Sequence, residues 1–502
     1  MTAHIEFKET PVTSISTAAT PDEVDAAARH AHAAYRAAVA VDPGVRASWL
    51  VAVAAGLRDN AAELVDLAIA ETHLRRPRLE GELRRTAFQL ELFADEVRAG
   101  VTLDATIDHA DGAWGMGPRP DIRRVNVPLG VVGVFGASNF PFAFSVIGGD
   151  SASALAAGCA VLHKIHSAHH GLAIRTAEIV VAALAAAGAP DELFGVVDGR
   201  DAATALVDHP LVKAIGFTGS TTVGRALFDR ACARPEPIPF YGELGSINPV
   251  FVLPEAWRVR ADDILDGYAA SFTMGMGQFC TKPGALVVPQ TGDTDTGERL
   301  AAALTTVPLG NLLTPGLRAA FGDARDEVAG LPGITTLVPG SDDEIPAPTV
   351  FEVTAADVLA NPEILEREMF GPATVLVRYA DAAELPALAA NLEGQLTATL
   401  HADAQDDAAE LVGLLTEKAG RVLWNGWPTG VTVSYAQEHG GPYPATTAAG
   451  TTSVGTAATR RFQRPVAYQD FPDAALPPAL QEANPWGIAR RVDGRFDGAG
   501  VM

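Results

Sequence analysis

Cys280 lies in the stretch Gly277-Gln278-Phe279-Cys280-Thr281-Lys282-Pro283-Gly284, and 37 residues earlier Glu243 occupies its own glycine-flanked turn, Gly242-Glu243-Leu244-Gly245. A thiol on a small loop and a separate carboxylate are the parts for covalent catalysis followed by hydrolysis, one as nucleophile and the other as the base that activates water. Asn139, in Ala137-Ser138-Asn139-Phe140-Pro141, adds an amide donor suited to stabilising an oxyanion. Each also has a plainer reading. A cysteine is often a small buried hydrophobe, which is the expectation for Cys159 and Cys232. Glu243 is compatible with a carboxylate capping a nearby helix, and Asn139 with a loop residue bonding local backbone.

These residues need a scaffold, and the pattern along the chain supplies one. Residues 21 to 100 are rich in Ala and Leu with charges at helical spacing, and Pro21-Asp22-Glu23 suits a first helical turn. From Val125 onward, short apolar runs (Val131 to Phe135, Ala160 to Lys164, Leu193 to Val197, Ala214 to Phe217) alternate with Ala-rich helical stretches. Alternation of this kind predicts a parallel sheet covered by helices on both faces. A second alternating region is expected from Asp262 to about Asn425, placing the chemistry at the junction of two α/β lobes. Residues 426 to 459 are rich in Gly, Pro, Thr and Ser and run into the basic cluster Arg460-Arg461-Phe462-Gln463-Arg464-Pro465. Asp293 to Gly297 and Gly340 to Pro348 read as surface loops.

Composition narrows the function classes. A chain of 502 residues, 48% hydrophobic, has room for two or three packed domains. Its 37 basic and 61 acidic residues leave a net charge of −24, which disfavours nucleic acid and anionic membranes as partners. Three cysteines fit a reducing cytoplasm better than a disulfide framework. The start, Met1 to Glu9, has no secretory pattern. The uncharged run Val125 to Gly149 is punctuated by Pro128, Gly130, Gly133, Gly136, Asn139 and Pro141, so it reads as a buried strand and loop and not as a membrane helix.

The segments around Asn139, Glu243 and Cys280, together with Phe217-Thr218-Gly219-Ser220 and Glu368-Met369-Phe370-Gly371-Pro372, resemble the aldehyde dehydrogenase superfamily in order and spacing, from about Leu64 to Pro472. A narrower resemblance is carried by Arg119-Pro120-Asp121-Ile122-Arg123-Arg124, by Phe135 to Ser145, by Gly148-Gly149-Asp150, by Ser246-Ile247-Asn248-Pro249-Val250-Phe251 and by His439 to Thr447. It is similar to the NADP-dependent branch that contains 2-oxoglutarate semialdehyde (2,5-dioxovalerate) dehydrogenases and some bacterial fatty-aldehyde dehydrogenases. Ser246 departs from the commonest family form, Glu-Leu-Gly-Gly.

The resemblance implies an α/β fold with a Rossmann-like cofactor domain (1–110 and 130–243), an α/β catalytic domain (244–430), and bridging segments (111–129 and 431–502) that join subunits into a homodimer or homotetramer. It implies that Cys280 attacks an aldehyde, that Asn139 and the Cys280 N–H hold the oxyanion, and that Glu243 directs water at the thioester. Release to coenzyme A is one alternative, against which Glu243 favours water as the acceptor, and a catalytically silent relative is another, against which intact Cys280, Glu243 and Asn139 count together.

No G-x-G-x-x-G stands between a strand and a helix. The nucleotide signal is instead the run Ala214 to Phe217, the turn Thr218-Gly219-Ser220-Thr221, and a helix from Thr222 to Arg230 whose free N–H groups suit a phosphate. By resemblance, Gly219 and Ser220 meet the pyrophosphate, Lys164 the adenosine ribose, and Glu368 and Phe370 the nicotinamide ribose and ring. Ser167 stands where NAD-preferring members carry a glutamate, which favours NADP while leaving NAD possible, with His166 or Arg225 as further cationic partners. The cluster His163, His166, His169, His170 lacks metal-type spacing with cysteine or carboxylate ligands; it reads as lining the cofactor groove, and no metal is expected.

Phe140, Phe144, Ile147, Met274, Phe279 and Thr281 align with family positions lining the substrate funnel. That lining suits a fatty or broad-range aldehyde, whereas an acid semialdehyde needs a cation for its far carboxylate. Arg85, or its neighbour Arg84, is the candidate, on a helix bordering the tunnel mouth, with Lys282 as a second. The competing reading pairs these arginines with Glu82 and Glu80 on the helix surface.

Overall fold

The computed structural model describes residues 19–290 and 296–497. The Met1–Glu9 segment and residues 293–295 lie outside the described residues, while Thr296 and Gly297, expected in a loop, open the helix Thr296–Leu304.

Four helices, Pro21–Ala38, Pro43–Asp59, Ala61–Thr72 and Arg76–Ala99, form the amino-terminal layer. The first begins in a capping box: Thr20 Oγ1 accepts from the Glu23 N–H and Glu23 Oε2 accepts from the Thr20 N–H, with Pro21 at the first turn where no N–H is needed. The fourth ends at Gly100, which has φ +72°, and a Cβ there would lie 2.4 Å from Ile488.

The strands Val131–Phe135, Ala160–Lys164, Phe194–Val197, Val212–Thr218 and Phe240–Glu243 form one parallel sheet, in which Val131–Phe135 is flanked by Ala160–Lys164 and Val212–Thr218. Its central strand is buried at every position, as a strand covered on both faces must be. A second sheet of seven strands spans residues 250 to 424. It starts at Val250–Val252, earlier than the expected Asp262, because this short strand is shielded by the helix Pro254–Thr273 that follows it. Its outer strand Thr335–Val338 is antiparallel and exposed. A third sheet pairs Ile122–Pro128 with Gln463–Gln469 and, through Thr106–Asp108, with the carboxyl-terminal strands Arg490–Val492 and Arg495–Asp497. No helix among the described residues is long and apolar enough to cross a membrane.

The first two sheets meet end to end. Asn139, Ser167, Gly219, Ser220 and Glu243 follow or close the carboxyl ends of strands in the first sheet, where ligands of open α/β sheets bind. Cys280 and Glu368 precede the amino ends of Ala285–Pro289 and Ala373–Tyr379, which are neighbours in the second sheet. Each topology puts its residues at strand ends, and the hydrogen bond from Asn139 Nδ2 to the Gln278 carbonyl joins the loop after the first sheet's central strand to the cysteine loop of the second.

Candidate active site

Glu243 closes its strand opposite Thr218, and its carbonyl accepts from the Gly219 N–H. Its carboxylate is buried and heavily bonded: His439 Nε2 lies 3.0 Å from Oε1, and Ser453 Oγ donates to Oε2 at 2.9 Å. Burial pushes the carboxyl up, but the charge and hydrogen bond of His439, the Ser453 hydroxyl and the Cys280 thiol together hold it below its ordinary value. Cys280 Sγ is 3.6 Å from His439 Nε2. Burial, followed by the charge and hydrogen bond of Glu243, pushes the thiol well above its usual range, so the resting sulfur keeps its proton. His439 opens the stretch His439 to Thr447 quoted above for the narrower resemblance but was given no role at the site, and Ser453 was not singled out. They come from the Gly- and Pro-rich stretch near the carboxyl terminus, which returns to bridge Glu243 through Thr446 and carries no periodicity to mark it.

The cysteine loop is held from behind. Gly277, at φ +68°, lets the chain pass where a Cβ would meet the Gly371 carbonyl oxygen at 2.1 Å. Asn248, wholly buried and left-handed at φ +54°, donates from Nδ2 to the carbonyls of Cys280 (2.8 Å) and Lys282 (3.0 Å). Ser246 has a structural reason in this network: its hydroxyl contacts Asn248 Oδ1 and Gln395 Oε1 and accepts from the Leu396 N–H. Asn139 is buried, and one of its two amide hydrogens goes to the Gln278 carbonyl at 3.0 Å, leaving the other free in its donor inventory.

A cavity of about 230 Å³ opens onto Cys280. Phe140, Phe144, Phe279 and Thr281 line it, and Phe140 stacks edge-on against Phe144 and Phe279 at 5.4 and 5.0 Å. Ile147 packs in the core instead, because its side chain faces the helical layer, and Met274 is about half exposed; neither lines this cavity. Arg85 lines it too. Its Nε donates to the Val431 carbonyl at 3.0 Å, its guanidinium lies 5.4 Å from the Phe144 ring centre, and among the described residues neither terminal nitrogen has a hydrogen-bond partner. The surface pairing with Glu82 does not form: Glu82 is buried, its Oε1 accepts from the N–H groups of Phe142 and Ala143, and its Oε2 has no hydrogen-bond partner among the described residues. Arg84 points to solvent.

Two turns of helix earlier, Arg78 also lines the cavity, stacked between Phe140 and Phe279 and donating to the Asn139 carbonyl at 2.6 Å; sequence reading passed it by. Lys282 is corrected as a substrate anchor. Its ammonium is buried and turned away, donating to the carbonyls of Met369 and Ala373, so it ties the cysteine loop to the segment bearing Glu368 and Phe370. Burial draws the lysine down to about 8 and pushes Glu368 up to about 7, with each opposing the other's shift.

The expected cofactor groups stand along the cleft. Ser220 caps the helix Thr221–Cys232 and is exposed beside Gly219 at its amino end. Lys164 is half-buried at its strand end, with Ser167 exposed just beyond. Glu368 and Phe370 are half-buried. A Cβ on Gly245 would fall 2.8 Å from Glu368 Oε2 and 2.9 Å from Thr221 Oγ1, so these three residues bound a cradle that only glycine leaves open. The cleft thus fits a dinucleotide: phosphate-facing N–H groups at one helix start, a lysine at the adenosine end and a carboxylate at the other.

Three expectations are corrected. His163 and His169 are fully buried and do not line the groove, because His163 points inward from its strand and His169 is drawn to the Ala137 carbonyl at 3.3 Å. His166 is held neutral, burial lowering it to about 4, and Arg225 turns to Asp229 and the Tyr443 hydroxyl, so neither offers a free cation to a phosphate. Cys232 is exposed at the end of its helix, unlike buried Cys159.

A cysteine beside a bonded glutamate, at the junction of a parallel dinucleotide-type sheet and a second α/β lobe, defines a covalent aldehyde-oxidising class. The chain belongs to the aldehyde dehydrogenase family, whose family model matches residues 4–443, and it is an NAD(P)-linked oxidoreductase acting on an aldehyde. It is 46% identical over 497 residues to alpha-ketoglutaric semialdehyde dehydrogenase 2 of Azospirillum brasilense, covering 97% of this chain and 94% of that one. It is 41% identical to alpha-ketoglutaric semialdehyde dehydrogenase of Acinetobacter baylyi, covering 95% and 92%. The fold matches aldehyde dehydrogenase C of Pseudomonas syringae, solved with NAD+ and octanal, with a TM-score of 0.76 at 20% identity over 91% of each chain.

Proposed function

We propose that the chain oxidises 2-oxoglutarate semialdehyde to the dicarboxylic acid, with preference for NADP. The observation that carries the substrate is Arg85: a buried guanidinium with two unpartnered nitrogens in the same cavity as the thiol. Desolvated donors of this kind are costly unless a ligand satisfies them, and a carboxylate accepts both at once. The two semialdehyde dehydrogenases of Azospirillum and Acinetobacter support the same substrate.

The Cys280 Sγ–H proton leaves to solvent through the cavity, the sulfur bonds to the aldehyde carbon as the C=O π pair moves onto oxygen, and Asn139 and the Cys280 N–H hold the oxyanion. NADP, when bound, supplies the hydride acceptor. Glu243, fixed by His439 and Ser453, then takes a proton from the water that attacks the thioester. Lys164, Ser167, Gly219, Ser220, Glu368 and Phe370 are the residues that would hold the cofactor. The free thiols and the open outer edge of the strand Gln463–Gln469 support a cytoplasmic homodimer or homotetramer.

Arg85→Ala should lower kcat/KM for the semialdehyde by roughly 30- to 150-fold, the equivalent of about 2–3 kcal/mol of charged hydrogen bonding, while hexanal oxidation changes far less. Equal losses on both aldehydes would end the anchor assignment. The three phenylalanine rings favour a second reading, a fatty-aldehyde enzyme, and a higher kcat/KM for decanal than for the semialdehyde would establish it. Ser167→Glu should shift the NADP-to-NAD ratio of kcat/KM toward NAD by about tenfold or more, since the new carboxylate repels a 2′-phosphate. An unchanged ratio would remove Ser167 from cofactor choice.

A further inference from the structure

Cys280 Sγ, His439 Nε2 and a Glu243 carboxylate oxygen all lie within 4.8 Å of one another. Zinc binds sulfur at ~2.3 Å and imidazole or carboxylate at ~2.0–2.1 Å, and at a tetrahedral angle these bonds put sulfur and nitrogen about 3.6 Å apart and nitrogen and oxygen about 3.3 Å apart. The corresponding separations are 3.6 Å and 3.0 Å, and sulfur and the carboxylate oxygen, which zinc would hold about 3.6 Å apart, lie within 4.8 Å, so the carboxylate must close toward the sulfur as the ion binds. A thiol, an imidazole and a carboxylate are a borderline-soft set that favours Zn²⁺ over Mg²⁺ or Ca²⁺. We propose that these three side chains form a Zn²⁺ site that switches the enzyme off reversibly. It is an inhibitory site that any free Zn²⁺ can occupy, not a requirement for catalysis.

Supporting groups are in place. Ser453 Oγ donates to Glu243 Oε2 at 2.9 Å, and Thr452 Oγ1 accepts from the His439 backbone N–H at 2.8 Å, fixing the segment that carries the imidazole, whose Nδ1 has no hydrogen-bond partner among the described residues. Cys280 lines the substrate cavity, which gives the ion an entry path and leaves a fourth position for water. Binding breaks the Sγ–H bond and forms Sγ–Zn, with that proton leaving to solvent; Nε2 likewise gives up the hydrogen it donates to Glu243 Oε1, to solvent or to Nδ1, and forms Nε2–Zn, while Zn²⁺ is redox-inert and no electron moves. Occupancy takes the nucleophile and the water-activating base together. That consequence rests on the proposed roles of Cys280 and Glu243, whereas the binding site does not.

The test is an anaerobic titration of the full chain, freed of metal by chelator, with Zn²⁺ and with Co²⁺ as its spectroscopic substitute. One Zn²⁺ per chain should bind, and Co²⁺ should give a near-ultraviolet thiolate charge-transfer band. Affinity for both ions should fall by at least about tenfold in His439→Ala, in Glu243→Gln and in Cys280→Ser, and the band should vanish in the last. Zn²⁺ should also inhibit aldehyde oxidation, with recovery on adding chelator and no inhibition by Mg²⁺. Undiminished Zn²⁺ affinity in both His439→Ala and Glu243→Gln would overturn the site, because binding would then be to the thiol alone; Cys280→Ser and the wild-type band keep the test open should one variant fail to fold. An enzyme that oxidises aldehyde but shows no cobalt–thiolate band loses the metal site and keeps the oxidation reading. A band on a chain that oxidises no aldehyde does the reverse.

Discussion

Cys280→Ala is expected to lower aldehyde oxidation by at least ~10⁴-fold while leaving NADP binding by calorimetry close to that of the parent. The basis is the absence of a substitute nucleophile: Cys159 is buried, with its thiol donating to the Phe462 carbonyl, and Cys232 is exposed at the end of its helix. The same residue should be visible in the parent by alkylation. Burial and the neighbouring Glu243 hold the thiol protonated, so iodoacetamide should label it slowly near neutrality, with the rate still rising above the ordinary thiol range. Substantial activity in Cys280→Ala, at more than a hundredth of the parent (on the order of two decades above the expected floor), would remove the covalent step.

Glu243→Gln should split the reaction. A burst of reduced cofactor equal to the enzyme present should persist, while steady-state turnover falls by roughly 10²- to 10⁴-fold because the thioester loses its water-activating base. Substitution also takes a negative charge away from the thiol. Since that charge raises the Cys280 pKa, its loss should lower it and make alkylation at mildly alkaline pH faster than in the parent. Slower alkylation would mean that Glu243 acts mainly as the base for the thiol, and an undiminished steady-state rate would exclude it from hydrolysis. His439 and Ser453 hold the carboxylate by both oxygens, which explains why a buried glutamate rests below its ordinary pKa when burial alone would raise it.

Much of the scaffold was legible because regular elements write themselves locally. Apolar runs such as Ala160 to Lys164 become strands with the expected bounds, and the turn at Gly219 and Ser220 opens a helix where free N–H groups were expected. The parallel sheet was readable for the same reason, as alternating strands and helices have few ways to pack. Glu243 and Cys280 could be picked out because their flanking glycines mark close quarters: Gly277 needs a left-handed φ, and a Cβ on Gly242, Gly245 or Gly284 would fall within 3 Å of a neighbour.

Side-chain direction inside irregular loops was not legible. Lys282 looked like a substrate cation and instead turns to Met369 and Ala373, while Arg85, which looked equally like a surface residue, lines the cavity with its Nε on the Val431 carbonyl. The sequence by itself determined the order of elements, the family and the thiol–carboxylate pairing. Only the tertiary structure decided that His439, 159 positions from Cys280, stands 3.6 Å from its sulfur and shares Glu243 with it. Period and turn chemistry act over a few residues, whereas the closing of a distant, non-repeating segment over a cleft depends on how whole sheets are placed, and no local pattern encodes that.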